Sequence, residues 1–211
     1  VRSDTRRSRW AEEAVRRTVA PLVELSGDLM GDLGGKDEDA PELIAVGRTR
    51  PDDLSRVDMR EDSLLVVFDR PTSPGNLGTL IRSADAFGAV GVVVTGHAAD
   101  VYDPRTVRAS TGSLFAVPTL HVDTPQVLDW VAGLRRRGTP VRVVGTDEAG
   151  PVDLSRTGLT GPIALVLGNE TTGMSAAWRG ACDILVAIPV GGAASSLNAA
   201  AAGSIVLYEA A

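Results

Sequence analysis

The chain has 211 residues, with 21 lysines and arginines against 27 aspartates and glutamates, a net charge of −6. That length holds one full-sized α/β domain and an appendage, or two small domains. A composition 44% hydrophobic and 23% charged excludes wholesale disorder. The lone Cys182 excludes an intrachain disulfide and a cysteine-based metal site. Apolar runs such as 64–68 are too short to span a bilayer. No basic stretch leading into an apolar run opens the chain, so no export signal is expected. The default reading is a cytoplasmic enzyme that contacts no membrane.

Charge is unevenly placed. Residues 1–20 are rich in arginine, among them Arg2, Arg6, Arg7 and Arg9, whereas residues 24–62 are strongly acidic. An overall pI of about 5.0 leaves no global basic footprint for a nucleic acid, although a local arginine can still grip a phosphate. Ala11, Val15, Leu22, Leu25 and Leu29 recur at helical spacing over Arg9–Met30, which Pro21 kinks or divides. Residues 31–40 (GDLGGKDEDA) read as a polar, acidic linker. The main domain is placed at 63–211, with 1–62 as an amino-terminal helical and linker extension.

From Leu64 onward, short apolar runs predict strands at 64–69, 91–95, 141–146, 163–167 and 184–188. Helical stretches fall between them near 76–87, 104–110, 124–137, 174–181 and 197–209. Uninterrupted apolar strands alternating with helices imply an α/β fold with a parallel sheet covered on both faces. Ligands on such sheets sit beyond the carboxyl ends of the strands.

Three loops at those ends carry the candidate chemistry. The first, 74–84 (PGNLGTLIRSA), opens a helix, where free N–H groups favour an anion. Asn76 as a helix cap and Arg82 as a solvated arginine account for it equally. In the second, Leu167-Gly168-Asn169-Glu170-Thr171-Thr172-Gly173, Gly168 allows close backbone approach. Glu170 either bonds a ligand or complements the next helix. The third, 188–198 (IPVGGAASSLN), leads into a helix of alanines that must pack closely on something, with Ser195 or Ser196 as its ordinary cap. Phosphate-loop, dinucleotide and nucleophile-elbow patterns are missing. His97 and His121 are too isolated to suggest a metal site.

Together, in order and spacing, the three loops resemble the signature motifs of the SPOUT methyltransferases, in particular the TrmH-like RNA ribose 2′-O-methyltransferases. The motif N-x-G-x-x-x-R-x-A stands at 76–84, L-G-x-E-x-x-G at 167–173 and I-P-M-x-G-x-x-x-S-L-N-V at 188–199. Val190 replaces the usual methionine and Ala199 the larger aliphatic residue. The resemblance implies a sheet whose carboxy-terminal part is tied in a deep trefoil knot, and a homodimer formed through that domain. It implies S-adenosylmethionine held by Leu167, Gly168, Ile188, Val190 and Leu197, without a metal. It also implies a tRNA or rRNA substrate, with Arg82 as the key catalytic residue among Asn76, Glu170, Ser196 and Asn198. A guanidinium stays protonated, so the physical role for Arg82 is to clamp the phosphate beside the target ribose. The alternative is a catalytically inactive RNA-binding relative. Family members often carry an RNA-binding domain ahead of the knot; residues 1–62 are short for a complete one, and the resemblance leaves them as part of such a region or as a solvated extension.

Overall fold

The structure, a computed structural model, describes residues 1–34, 40–193 and 196–211. It divides into two compact units, Val1–Arg50 and Pro51–Ala211. In the first, Ser8 caps α1 (Arg9–Arg17). The Ser8 N–H and hydroxyl both donate to Glu42, at 2.6 and 2.5 Å. The helical spacing of 9–30 does not give one helix. Around Pro21 the chain runs non-helically until Leu25 pairs with Arg2 in a parallel bridge, and α2 (Gly27–Gly34) follows. Thus α2 takes up the first part of the stretch read as a linker, and 35–39 lie outside the described residues.

The second unit begins at Pro51 rather than near Asp62, because Val57 and Met59 bury against the sheet. Its elements are β1 (Leu64–Asp69), α3 (Pro74–Ala86), β2 (Gly91–Thr95), α4 (Pro104–Ser110), β3 (Thr119–His121) and α5 (Thr124–Arg136). They continue with β4 (Arg142–Thr146), β5 (Val152–Asp153), β6 (Ile163–Leu167), α6 (Ala176–Ala181), β7 (Ile184–Ala187) and α7 (Ala199–Ala210). The seven strands form one sheet in the order β3-β2-β1-β6-β4-β7-β5, with every pairing parallel. The edge strands β3 and β5 escape the sequence reading because runs of three and two residues show no period.

The central strands explain the two-faced core. In β1, Leu64, Val66 and Phe68 pack with Leu77, Leu80 and Ile81 of α3 and with Val206 and Leu207 of α7. Leu65 and Val67 point the other way, to Val127 and Val131 of α5 and to Trp178 of α6. Period-2 alternation on a strand buried on both sides demands apolar residues throughout, hence the unbroken LLVVF. The small residues of α7 have a direct cause. A Cβ on Gly203 would stand 2.5 Å from Leu80 Cδ1 and 2.8 Å from Leu167 Cδ2, so the helix can lie on α3 and β6 only with glycine there.

Candidate active site

Strand order turns between β1 and β6: β2 and β3 lie to one side, and β4, β7 and β5 to the other. The chain leaves β1 into 70–73 and leaves β6 into 168–175, so two candidate loops emerge side by side at a topological switch point. Beyond the strand ends lies a cavity of about 330 Å³, walled by Leu167, Gly168, Glu170, Ile188, Val190 and Leu197, with Ser196 and the Thr146–Glu148 turn at its margin. All five residues expected to hold the cofactor line this one space.

One hydrogen-bonded chain joins the three loops. The Asn76 amide donates to Glu170 Oε1 at 3.1 Å. Its own Oδ1 accepts from Asn198 Nδ2 at 2.9 Å. Local structure leaves Asn76 available for this. The helix cap is Ser73, whose Oγ accepts the Asn76 N–H, so the Asn76 side chain is not spent on capping. Likewise α7 is capped by Asn198, whose Oδ1 accepts from Ala200 and Ala201, and not by Ser196; Ser195 lies outside the described residues.

Glu170 is the best-held polar group here. It accepts from the Thr72 N–H and hydroxyl, both at 3.0 Å, and from the Ser73 N–H at 3.2 Å. Desolvation alone would raise its carboxyl. The N–H groups of Thr72 and of Glu170 itself, the Asn76 amide and the Ser73 N–H more than offset that and hold it below its ordinary value. Glu170 is therefore an anion at neutral pH, an acceptor that fixes the start of α3. Sequence reading missed Thr72 and Ser73 as its partners. The signal was available in a Thr-Ser-Pro string at a helix start.

Gly168 does not open the wall to a ligand in the expected way. A Cβ there would sit 2.2 Å from the Met174 N and 2.3 Å from the Gly173 carbonyl carbon. The loop's own return leg fills the space, closed by reciprocal backbone bonds between Asn169 and Gly173 at 3.0 Å. Arg82 stands apart. It is exposed on α3 and outside the cavity wall. Ser83, its neighbour, takes the face toward α7, where its Oγ lies 2.7 Å from Ser204 Oγ. No cluster of three or more potential metal ligands occurs among the described residues.

A parallel sheet with a part-apolar cavity at its switch point, and three loops tied together at the rim, defines a ligand-binding α/β enzyme domain. Residues 63–208 match the SpoU rRNA Methylase family model, and the chain belongs to that family. Residues 1–45 match a second family model, the SpoU L30e-like domain. The 23S rRNA (uridine(2479)-2′-O)-methyltransferase of Streptomyces viridochromogenes is 53% identical over 204 residues, 96% of this chain and 71% of that protein. The crystal structure of the SpoU methyltransferase AviRb from the same organism, in complex with AdoMet, superimposes with a TM-score of 0.92, covering 98% of this chain and 78% of the other at 53% identity. The 23S rRNA (guanosine-2′-O-)-methyltransferase RlmB of Photobacterium profundum is 36% identical over 150 residues, 71% of this chain; the chain spans 60% of that relative.

Proposed function

We propose that this protein is an S-adenosylmethionine-dependent methyltransferase that modifies a ribose 2′-hydroxyl in RNA, with 23S rRNA as its substrate. The carrying observation is the Glu170–Asn76–Asn198 chain at the rim of the cavity, in a sequence akin to named 23S rRNA 2′-O-methyltransferases. The cavity suits the donor: Leu167, Ile188, Val190 and Leu197 offer an apolar seat, and Asn169, Ser196 and the Thr146–Glu148 turn offer polar groups at its edge. Bound there, S-adenosylmethionine supplies an electrophilic methyl group on a sulfonium.

The chain's own residues position and exclude water. Asn76 and Asn198 share one hydrogen bond, leaving amide groups to orient the ribose hydroxyl, while Glu170 holds Asn76 in place. Arg82 grips the adjoining phosphate with its permanently charged fork. Because Arg82 does not line its own cavity, its natural target is the cavity of a second copy. Supporting that homodimer, α7 exposes Ile205 and Tyr208, the latter 73% exposed, beside the exposed Thr79 and Arg82 of α3. A trefoil knot is supported by the insertion of β7 between the earlier strands β4 and β5 and by the return of α7 to α3. The enzyme works in the cytoplasm, where its RNA is made and folded; no described helix is long and apolar enough to cross a membrane.

Tritiated methyl transfer tests the reading. Label should enter 23S rRNA, and nuclease mapping should find it on a ribose. Transfer to tRNA alone would move the substrate class, and binding of RNA without transfer would favour the inactive reading.

A further inference from the structure

We propose that Asp69 and Arg70 form a clasp that positions the 168–174 loop, and through it the cofactor wall and Glu170. Neither residue touches the cavity; both act through the loop.

The geometry is specific. Asp69 ends β1 with its carboxylate 1% exposed. Oδ1 accepts from the Thr95 hydroxyl at 3.0 Å. Oδ2 accepts from the Ser175 N–H at 2.7 Å and from Arg70 Nε at 3.2 Å. Thr95 Oγ1 in turn accepts from the indole N–H of the fully buried Trp178 at 3.1 Å. A buried carboxylate is tolerated only when so fully partnered; one of its partners, Ser175, lies on the segment leading from the 168–174 loop into α6, and Trp178 of α6 is reached through Thr95.

Arg70 closes the clasp from the other side. Its Nη2 donates to the Gly173 carbonyl at 2.9 Å, and its own carbonyl accepts from Asn169 Nδ2 at 2.7 Å. Arg70 thus bonds both ends of the loop with its side chain and its main chain. It does so in the left-handed region, at φ +57°, a conformation that L residues adopt only when their surroundings over-determine it. Gly96 makes room for it: a Cβ there would stand 2.7 Å from Arg70 Cγ. Asn169 Oδ1 then accepts the Thr171 and Thr172 N–H groups, each at 2.9 Å. Glu170, between these points, projects toward Thr72 and Asn76.

The test uses Arg70→Gly, which suits the positive φ and removes the fork, together with hydrogen–deuterium exchange on the whole protein. The amides of Asn169 and Gly173, which bond each other across the loop that Arg70 holds, and of Ser175, which bonds Asp69, should exchange about tenfold faster, a loss in keeping with one charge-assisted hydrogen bond. The Tm should stay within about 3 °C. The KM for S-adenosylmethionine should rise about tenfold, with kcat at saturating donor within about threefold of wild type. Arg70→Lys, which keeps a charge without the fork, should fall between. Unchanged exchange at these three amides would overturn the clasp, as would loss of protection across the whole sheet. The kinetic arm rests on the methyltransferase reading. If the wild-type protein neither binds S-adenosylmethionine nor transfers methyl groups, that reading fails while the exchange arm still decides the clasp.

Discussion

The two loops that face each other across the cavity are built on opposite plans. In 168–174, Asn169, Glu170 and Gly173 are each tied to groups outside the loop or across it, so this wall is set before any ligand arrives. In the third loop, Val190 is 51% and Leu197 38% exposed, and the anchor is Asn198 at its far end. The two walls divide the labour. The anchored wall supplies orientation, and the open wall leaves apolar surface that a ligand can cover.

Arg82 belongs to neither wall, and its removal should have the largest effect. Arg82→Ala is expected to lower methyl transfer by at least about a hundredfold, as loss of a phosphate clamp would, with cofactor affinity within a few-fold of wild type. Calorimetry alongside transfer assays checks both. Equal loss of both would place Arg82 on the cofactor side after all. Mixing Arg82→Ala subunits with Asn198→Ala subunits should restore part of the activity if the arginine serves a partner's cavity.

Gly168→Val probes the anchored wall directly. The added Cβ would overlap the backbone of Gly173 and Met174, which cannot yield as a side chain can, so a loss of about 2–3 kcal/mol in folding stability is expected. Cofactor binding should fall with it. Leu197→Ala on the open wall should weaken cofactor binding several-fold and leave the thermal midpoint nearly unchanged. If both substitutions cost the same stability, the distinction between the walls fails.

How much of this was legible in the sequence follows from the range of the forces involved. β1 and β6 were readable because strands buried on both faces must be apolar at every position, a local signature. The three motif loops were readable as a set because residue types recur at fixed spacing. What joins them was not. Thr72 and Ser73 meet Glu170 across a separation of nearly a hundred residues, and Arg70 in a left-handed turn carries no mark in its neighbours. Gly168 illustrates the same limit: its need for a bare Cα was evident, but the crowding backbone proved to be the loop's own. Asn198 as the cap of α7 was masked by two neighbouring serines that are equally good caps on paper.

Glu170→Gln tests the anchored wall through pH. The folded carboxyl is more acidic than in the unfolded chain. Its anchoring is therefore fully present above the ordinary carboxylate value of 4.5 and is lost as pH falls through the lower folded value. Wild-type stability should decline over that acid window, and Glu170→Gln should flatten the decline while lowering transfer about tenfold at neutral pH. Thermal melts from pH 3 to 7 on both proteins would show it. Parallel curves would move the acid sensitivity elsewhere.

The smallest effect concerns Cys182, which lies behind the anchored wall. A Cβ on Gly145 would meet both Cys182 Sγ and Met174 Cε within 3 Å, so the thiol and the end of the 168–174 loop share one packed region. Burial, followed by the nearby Asp183, pushes its pKa up to about 11, against a smaller opposing pull from Arg179. The thiol is then protonated at pH 8, and since only the thiolate attacks, modification by a disulfide reagent should be slow. Gly168→Val, which displaces Met174, should speed that reaction, whereas Leu197→Ala should not. Equal acceleration by both would mean that the two walls open together, and that the anchored wall owes its order to the ligand as much as the open one does.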